Sequence, residues 1–175
     1  PIQYPELFKD SSVKTTHESW LSMIAKTNGA ICVSRATANA LQNWLTTNSI
    51  QSSPAFQIDW VHNGSDIDNS KPSLGLPNDA TKVLETLKEK PTFICVSTIE
   101  PRKRQEQILD ACDSLWNTNL DINLVLVGQQ GWNVEKLANR LRNHPELGKR
   151  LFCLNGISDE YLTEVYKSAT CLIAA

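Results

Sequence analysis

The sequence lacks the signatures of several common chemistries. It has no G-x-x-x-x-G-K-[ST] run, which excludes a P-loop, and no G-x-G-x-x-G after an apolar run, which excludes the dinucleotide fingerprint. None of the five cysteines forms a C-x-x-C pair, and His17, His62 and His144 do not cluster with them, so a zinc site is not indicated. No apolar run approaches the roughly 20 residues needed to cross a bilayer. The first residues show no signal peptide. An excess of positive charge is also missing: 17 Lys and Arg face 19 Asp and Glu, for a net charge of -2. That argues against a nucleic-acid partner, because a surface that tracks phosphates usually carries a basic excess. There is no internal repeat and no low-complexity segment.

What remains is the composition of a soluble globular protein, 41% hydrophobic and 21% charged. Cys32, Cys95, Cys153 and Cys171 sit in short apolar runs and Cys112 lies on a helical stripe, so all five read as small buried hydrophobes in a reducing compartment. The chain starts at Pro1 rather than Met and runs out on the strand-like Cys171-Leu-Ile-Ala-Ala175. Both features lead us to expect a chain cut at its two ends.

The second half alternates strand and helix. The run 92–98 is continuously apolar and rich in β-formers, as in a strand covered on both faces. Residues 105–117 read as a helix with Ile108, Leu109, Ala111, Cys112, Leu115 and Trp116 on one stripe. A second buried strand, 122–127, ends at Gly128. Val134, Leu137, Ala138 and Leu141 mark a helix that stops near Pro145. A short strand, 151–154, precedes a helix capped by Ser158, with Asp159 and Glu160 in its first turn. A fourth strand spans 170–174. This order predicts a Rossmann-like α/β fold, a parallel sheet flanked by helices with right-handed crossovers. Ligands bind such sheets at the carboxyl ends of the strands, which singles out the loops 99–104, 128–132 and 155–158.

The first half is less regular. It reads as a helix at 20–26, a strand at 30–33, a helix at 35–45 capped by Ser34, and a strand at 57–61. Residues 65–78 are polar and contain Pro72, Gly75 and Pro77, and a helix at 81–88 leads into the second half. The expected organisation is therefore the end of one Rossmann-like domain over 1–62, a linker over 63–78, and the first part of a second domain over 79–175.

The segment Ser97-Thr-Ile-Glu-Pro-Arg-Lys-Arg104 carries the chemistry. Arg102, Lys103 and Arg104 precede a helix, where cations oppose the macrodipole at a cost of a few tenths of a kcal/mol up to about 1 each. An anion over this helix end, where free N–H groups also point, removes the conflict, and a diphosphate matches the geometry. Arg grips phosphate oxygens in a fork and Lys adds a mobile point charge. The competing reading is a solvated charge run, with Glu100 as an ion-pair partner that orients Arg102. Trp116 reads as core. Trp132 reads as packing before ligand contact, His17 as a surface or satisfied histidine, and Ser34 as a plain cap.

The run 96–111, together with Leu124-Val-Leu-Val-Gly-Gln-Gln-Gly-Trp132, Gly156-Ile-Ser-Asp-Glu-Tyr-Leu162 and Tyr166-Lys-Ser-Ala169, resembles the C-terminal domain of group 1 glycosyltransferases, in the subgroup reading Thr-Ile-Glu-Pro-Arg-Lys. Ile31-Cys-Val-Ser34 and the segment around Asn63-Gly64 resemble the end of that family's N-terminal domain. The resemblance implies a two-domain GT-B architecture. It also implies transfer of a sugar, with retention, from a nucleotide diphosphate donor to a glycan or lipid-linked acceptor. Arg102 and Lys103 match the basic residues that hold the donor diphosphate. Thr98 stands where many members carry Arg, and Arg104 where the family usually has Gly. Gly128 matches the glycine at which the backbone passes near the donor, and Asn155, Gly156 and Ile157 match the segment bordering the base. No metal and no other cofactor is implied, because the cations take that role. The family's usual setting is polysaccharide assembly on the cytoplasmic side of a membrane, which is compatible with peripheral membrane association.

The family's E-x7-E element would follow Ala175, and the early Gly-rich loop of the acceptor domain is absent, so this polypeptide alone is expected not to turn over. Two alternatives share the architecture: a sugar-nucleotide epimerase, and a non-catalytic binding module, to which Thr98 lends weight.

Overall fold

The computed structural model describes Phe8, Asp10, residues 12–64 and residues 75–174. They divide into two compact units, one within Pro1–Ser65 and the other within Asp66–Ala175. Most of the expected linker, residues 65–74, lies outside the described residues.

In the first unit, helix α1 (Ser12–Ile24), strand β1 (Gly29–Cys32), helix α2 (Arg35–Thr47) and strand β2 (Gln57–Trp60) follow one another, and β1 pairs parallel with β2. Ser34 caps α2: its side chain accepts a hydrogen bond from Thr37 N. Ala38, Leu41 and Leu45 of α2 bury against Ala25 and Cys32. Helix α1 starts well before the expected residue 20. The backbone N–H of Ser12 donates to the Asp10 carboxylate at 2.8 Å, a cap that the weak apolar pattern of 12–19 did not reveal.

The second unit contains α3 (Ala80–Lys88), β3 (Thr92–Val96), α4 (Gln105–Asn117), β4 (Asn123–Val127), α5 (Glu135–Arg142), β5 (Leu151–Leu154), α6 (Asp159–Ser168) and β6 (Cys171–Leu172). The four strands form an all-parallel sheet in the order β5-β4-β3-β6. All of β4 is buried, as its unbroken apolar run requires. One face of the sheet packs against α4 and α5 through Ile108, Leu109, Cys112, Leu137 and Leu141. The other packs against α3 and α6 through Leu84, Leu87, Tyr161 and Val165. The chain thus winds outward from β3 to β5 on one face and returns on the other through α6 to β6. The winding direction reverses between β3 and β6, and in open α/β sheets the ligand crevice lies outside the carboxyl ends of the strands at such a point.

The cysteine reading needs correcting at two positions. All five thiols are free, but Cys171 is exposed and Cys153 half-buried. Cys171 lies on the two-residue strand β6, shorter than the expected 170–174 and paired, among the described residues, with β3 alone. Burial pushes the thiols of Cys112 and Cys153 up to about 11, so both stay protonated and unreactive at neutral pH.

Candidate functional site: a cationic loop at the sheet edge

The loop after β3 leaves the sheet at the reversal point and is tied down on both sides. Toward β4, Ser97 N donates to Val127 O (2.9 Å), Ile99 N to Gln129 O (2.9 Å) and Gly131 N to Ile99 O (2.9 Å). This contact leaves no room for side chains. A Cβ on Gly128, whose φ is 147°, would stand 2.1 Å from Ser97 O, and one on Gly131 would stand 2.8 Å from Ile99 O. Both glycines are therefore required by the close approach of two backbones.

Toward α4, the fastening is a side chain. Gln105, the first residue of α4, is only 2% exposed. Its Nε2 donates to Ser97 Oγ (2.9 Å) and Thr98 O (2.9 Å), and its Oε1 accepts from Glu100 N at 3.4 Å. The sequence reading missed this residue, although position 105 falls on the same stripe as Ile108, Leu109 and Cys112. A polar residue at a core phase of a helix was the available signal.

The three cations precede α4 rather than occupying its first turn. Pro101–Lys103 form a 3-10 turn, and Arg104 caps α4 in the left-handed region (φ 52°, ψ 27°). The first turn of α4 holds Glu106, as the macrodipole favours. Arg102 stays half-exposed, with Nη2 2.6 Å from Oε1 of the buried Glu100. This pair is the one expected from the sequence. It is a charge contact without an aligned N–H, since Glu100 Oε1 receives no hydrogen bond of good geometry. Lys103 is half-buried, and its charge reaches the Cys95 thiol on β3. There it acts, after a hydrogen bond with Ser97, against the larger upward push of burial. Neither Lys103 nor Arg104 has an ion-pair partner among the described residues. Glu100, Arg102, Lys103 and Arg104 sum to a local charge of +2, in a chain whose total is -2.

The other expected positions divide. Thr98 is exposed at the loop, and Gly128 abuts it. Asn155 and Gly156 are exposed and Ile157 half-buried in the loop after β5, which β4 separates from β3. Ser158 caps α6, accepting from Tyr161 N, and its hydroxyl donates to Gly75 O. Trp116 is core, and its indole N–H donates to Ile122 O. A cavity of about 510 Å³ opens between the first turns of α4 and α5, lined by Glu100, Arg104, Gln107, Asn133 and Lys136 among others. Arg102 and Lys103 are not among its lining residues. No three His, Cys, Asp or Glu side chains converge as a metal-binding group, and no helix is long and apolar enough to cross a membrane, among the described residues.

A doubly wound parallel sheet with a cationic loop at its reversal point defines a Rossmann-like domain. The family model "Glycosyl transferases group 1" matches residues 78–175, and the chain belongs to that family. Two Escherichia coli relatives, each described as serotype-specific mannosyltransferase WbdA, are 40% and 39% identical over the whole chain. The chain spans only 22% of the length of each of these relatives. Among solved structures, Anabaena Alr3699/HepE, crystallised in complex with UDP, superposes with a TM-score of 0.60 at 18% identity. That likeness covers 96% of this chain and 43% of the other, and it bears on the fold.

Proposed function

We propose that this chain supplies the donor-binding side of a glycosyltransferase that moves a sugar from a nucleotide diphosphate donor to a glycan or lipid-linked acceptor with retention. Lys103 and Arg102 hold the donor diphosphate. The observation that carries this reading is the +2 loop, pinned at the carboxyl end of β3, with Lys103 half-buried and without an acidic partner among the described residues. As the glycosidic bond breaks, negative charge grows on the departing diphosphate. Fixed cations aimed there stabilise the transition state more than the ground state, which is what lowers the barrier. With two or three cations available, the chemistry calls for no metal. Of the two arginine and lysine contacts, Lys103 is the stronger candidate, because Glu100 already engages one edge of Arg102.

The relatives' description suggests a mannosyl donor. The site of action we propose is the cytoplasmic side of a membrane, with peripheral association. The segment alone, without the acceptor side and the E-x7-E element, is proposed to be inactive. Calorimetry on the full-length protein with UDP, GDP and dTDP tests the reading. One of them should bind, and Lys103→Ala should weaken that binding by about tenfold or more, the worth of a charge-assisted hydrogen bond. Absence of binding to all three would favour the non-catalytic module.

A further inference from the structure

The geometry points to Gln105 as the positioning residue of the cationic loop, the group that sets where Arg102 and Lys103 stand without touching the ligand itself. This inference rests on the diphosphate reading of that loop.

The burial of Gln105 is anomalous. Gln105 is 2% exposed at a core phase of α4, where Ile108, Leu109 and Cys112 are apolar. A buried amide must find partners for its N–H groups and its oxygen, and an apolar side chain in its place would bury without that demand. All the partners that Gln105 finds belong to one loop. Its Nε2 donates to Ser97 Oγ and Thr98 O, each at 2.9 Å, and its Oε1 faces Glu100 N at 3.4 Å. Two acceptors on one side and a backbone donor on the other also fix which way the amide points.

Glu100 passes the constraint on. Its carbonyl accepts from Lys103 N at 3.0 Å, which starts the turn carrying the cations, and its buried carboxylate lies 2.6 Å from Arg102. One residue thus sets the backbone beneath Lys103 and the side chain of Arg102, and Gln105 anchors that residue from the helix. The β4 side holds Ser97 and Ile99 only, through Val127, Gln129 and Gly131. Without the Gln105 amide, the stretch from Thr98 to Glu100 would lose its hydrogen bonds to α4 and keep only the packing of Ile99 in the core, and the cations would rest on a less determined turn. Displacements of an ångström or so cost large factors when charges must meet a fixed ligand.

The test is a double-mutant cycle in the full-length protein. Wild type, Gln105→Met, Lys103→Ala and the double variant are titrated calorimetrically with inorganic pyrophosphate, GDP and UDP, and thermal unfolding is followed alongside. Met keeps the volume and removes the amide. Gln105→Met should weaken binding about tenfold in the wild-type background. It should do clearly less once Lys103 is gone, because only Arg102 then remains for it to position. A lowered Tm with unchanged affinity in both backgrounds would make Gln105 a structural residue and overturn the inference. So would a loss of affinity of equal size in both. Should Gln105→Met fail to fold, Gln105→Glu keeps the shape and the acceptor for Glu100 N while losing the donors, and the same non-additivity is read from it. Loss of binding in Lys103→Ala with full binding in the Gln105 variants would sink the positioning role and leave the diphosphate reading standing. A wild type that binds none of the three probes overturns both.

Discussion

Arg104 takes a left-handed backbone (φ 52°, ψ 27°) that costs a residue with a Cβ roughly 1–2 kcal/mol. The resemblance gave Gly as the usual occupant of this position, and the conformation supplies the reason. Arg104→Gly should therefore raise stability by about 0.5–1 kcal/mol in urea denaturation, after allowance for the extra freedom of glycine in the unfolded chain. Arg104→Ala keeps the unfavourable backbone and should bring no such gain. Residue-scale features of this kind were partly legible. The cations, Glu100 as partner of Arg102, and the Ser34 and Ser158 caps could be read from residue type and spacing. The αL geometry of Arg104 and the inward turn of Gln105 could not, because each depends on how the loop closes between β3 and α4.

The turn between α5 and β5 shows how an element boundary is held by charge. Glu146 Oε2 accepts from Arg150 Nε at 2.7 Å, and the guanidinium lies over the Trp116 ring at 5.5 Å. The Arg150 hydrogen bond, first among several causes, holds the Glu146 carboxyl below its ordinary 4.5. A depressed carboxyl stabilises the fold fully above the unfolded-state value and loses that contribution as pH falls through the lower folded-state value. Glu146→Gln should accordingly flatten the loss of stability below about pH 4.5 while changing it at neutral pH by about 1 kcal/mol or less. Acid titration of Tm for both proteins measures this. Most elements were legible in sequence from their apolar runs, stripes and caps: α2 to α6 and β1 to β5 stand within a few residues of expectation. Helix α1 began earlier and β6 proved shorter, since the first starts on a local hydrogen bond to Asp10 and the second extends only as far as its pairing with Phe93 and Ile94 of β3.

At the scale of the whole molecule, charge is uneven rather than abundant, with +2 on one loop and -2 overall. The field that the proposed diphosphate would meet is therefore local. Raising the salt concentration to about 0.5 M shortens the Debye length to several ångströms and should weaken pyrophosphate binding severalfold. Calorimetry across a salt series checks this. A binding constant indifferent to salt would speak against a cationic cradle. The meeting of β3 and β4 also bears on how the gene can change. Every missense change in the codon for Gly128 adds at least one carbon, and the space that carbon would occupy lies 2.1 Å from the main-chain oxygen of Ser97, whose own N–H is hydrogen-bonded to Val127 O. A saturation mutagenesis library should therefore be empty at this codon whatever the polarity of the replacement. At Gly148, where no neighbour lies within 4 Å, only the φ of +76° selects against other residues, and asparagine or aspartate variants should survive.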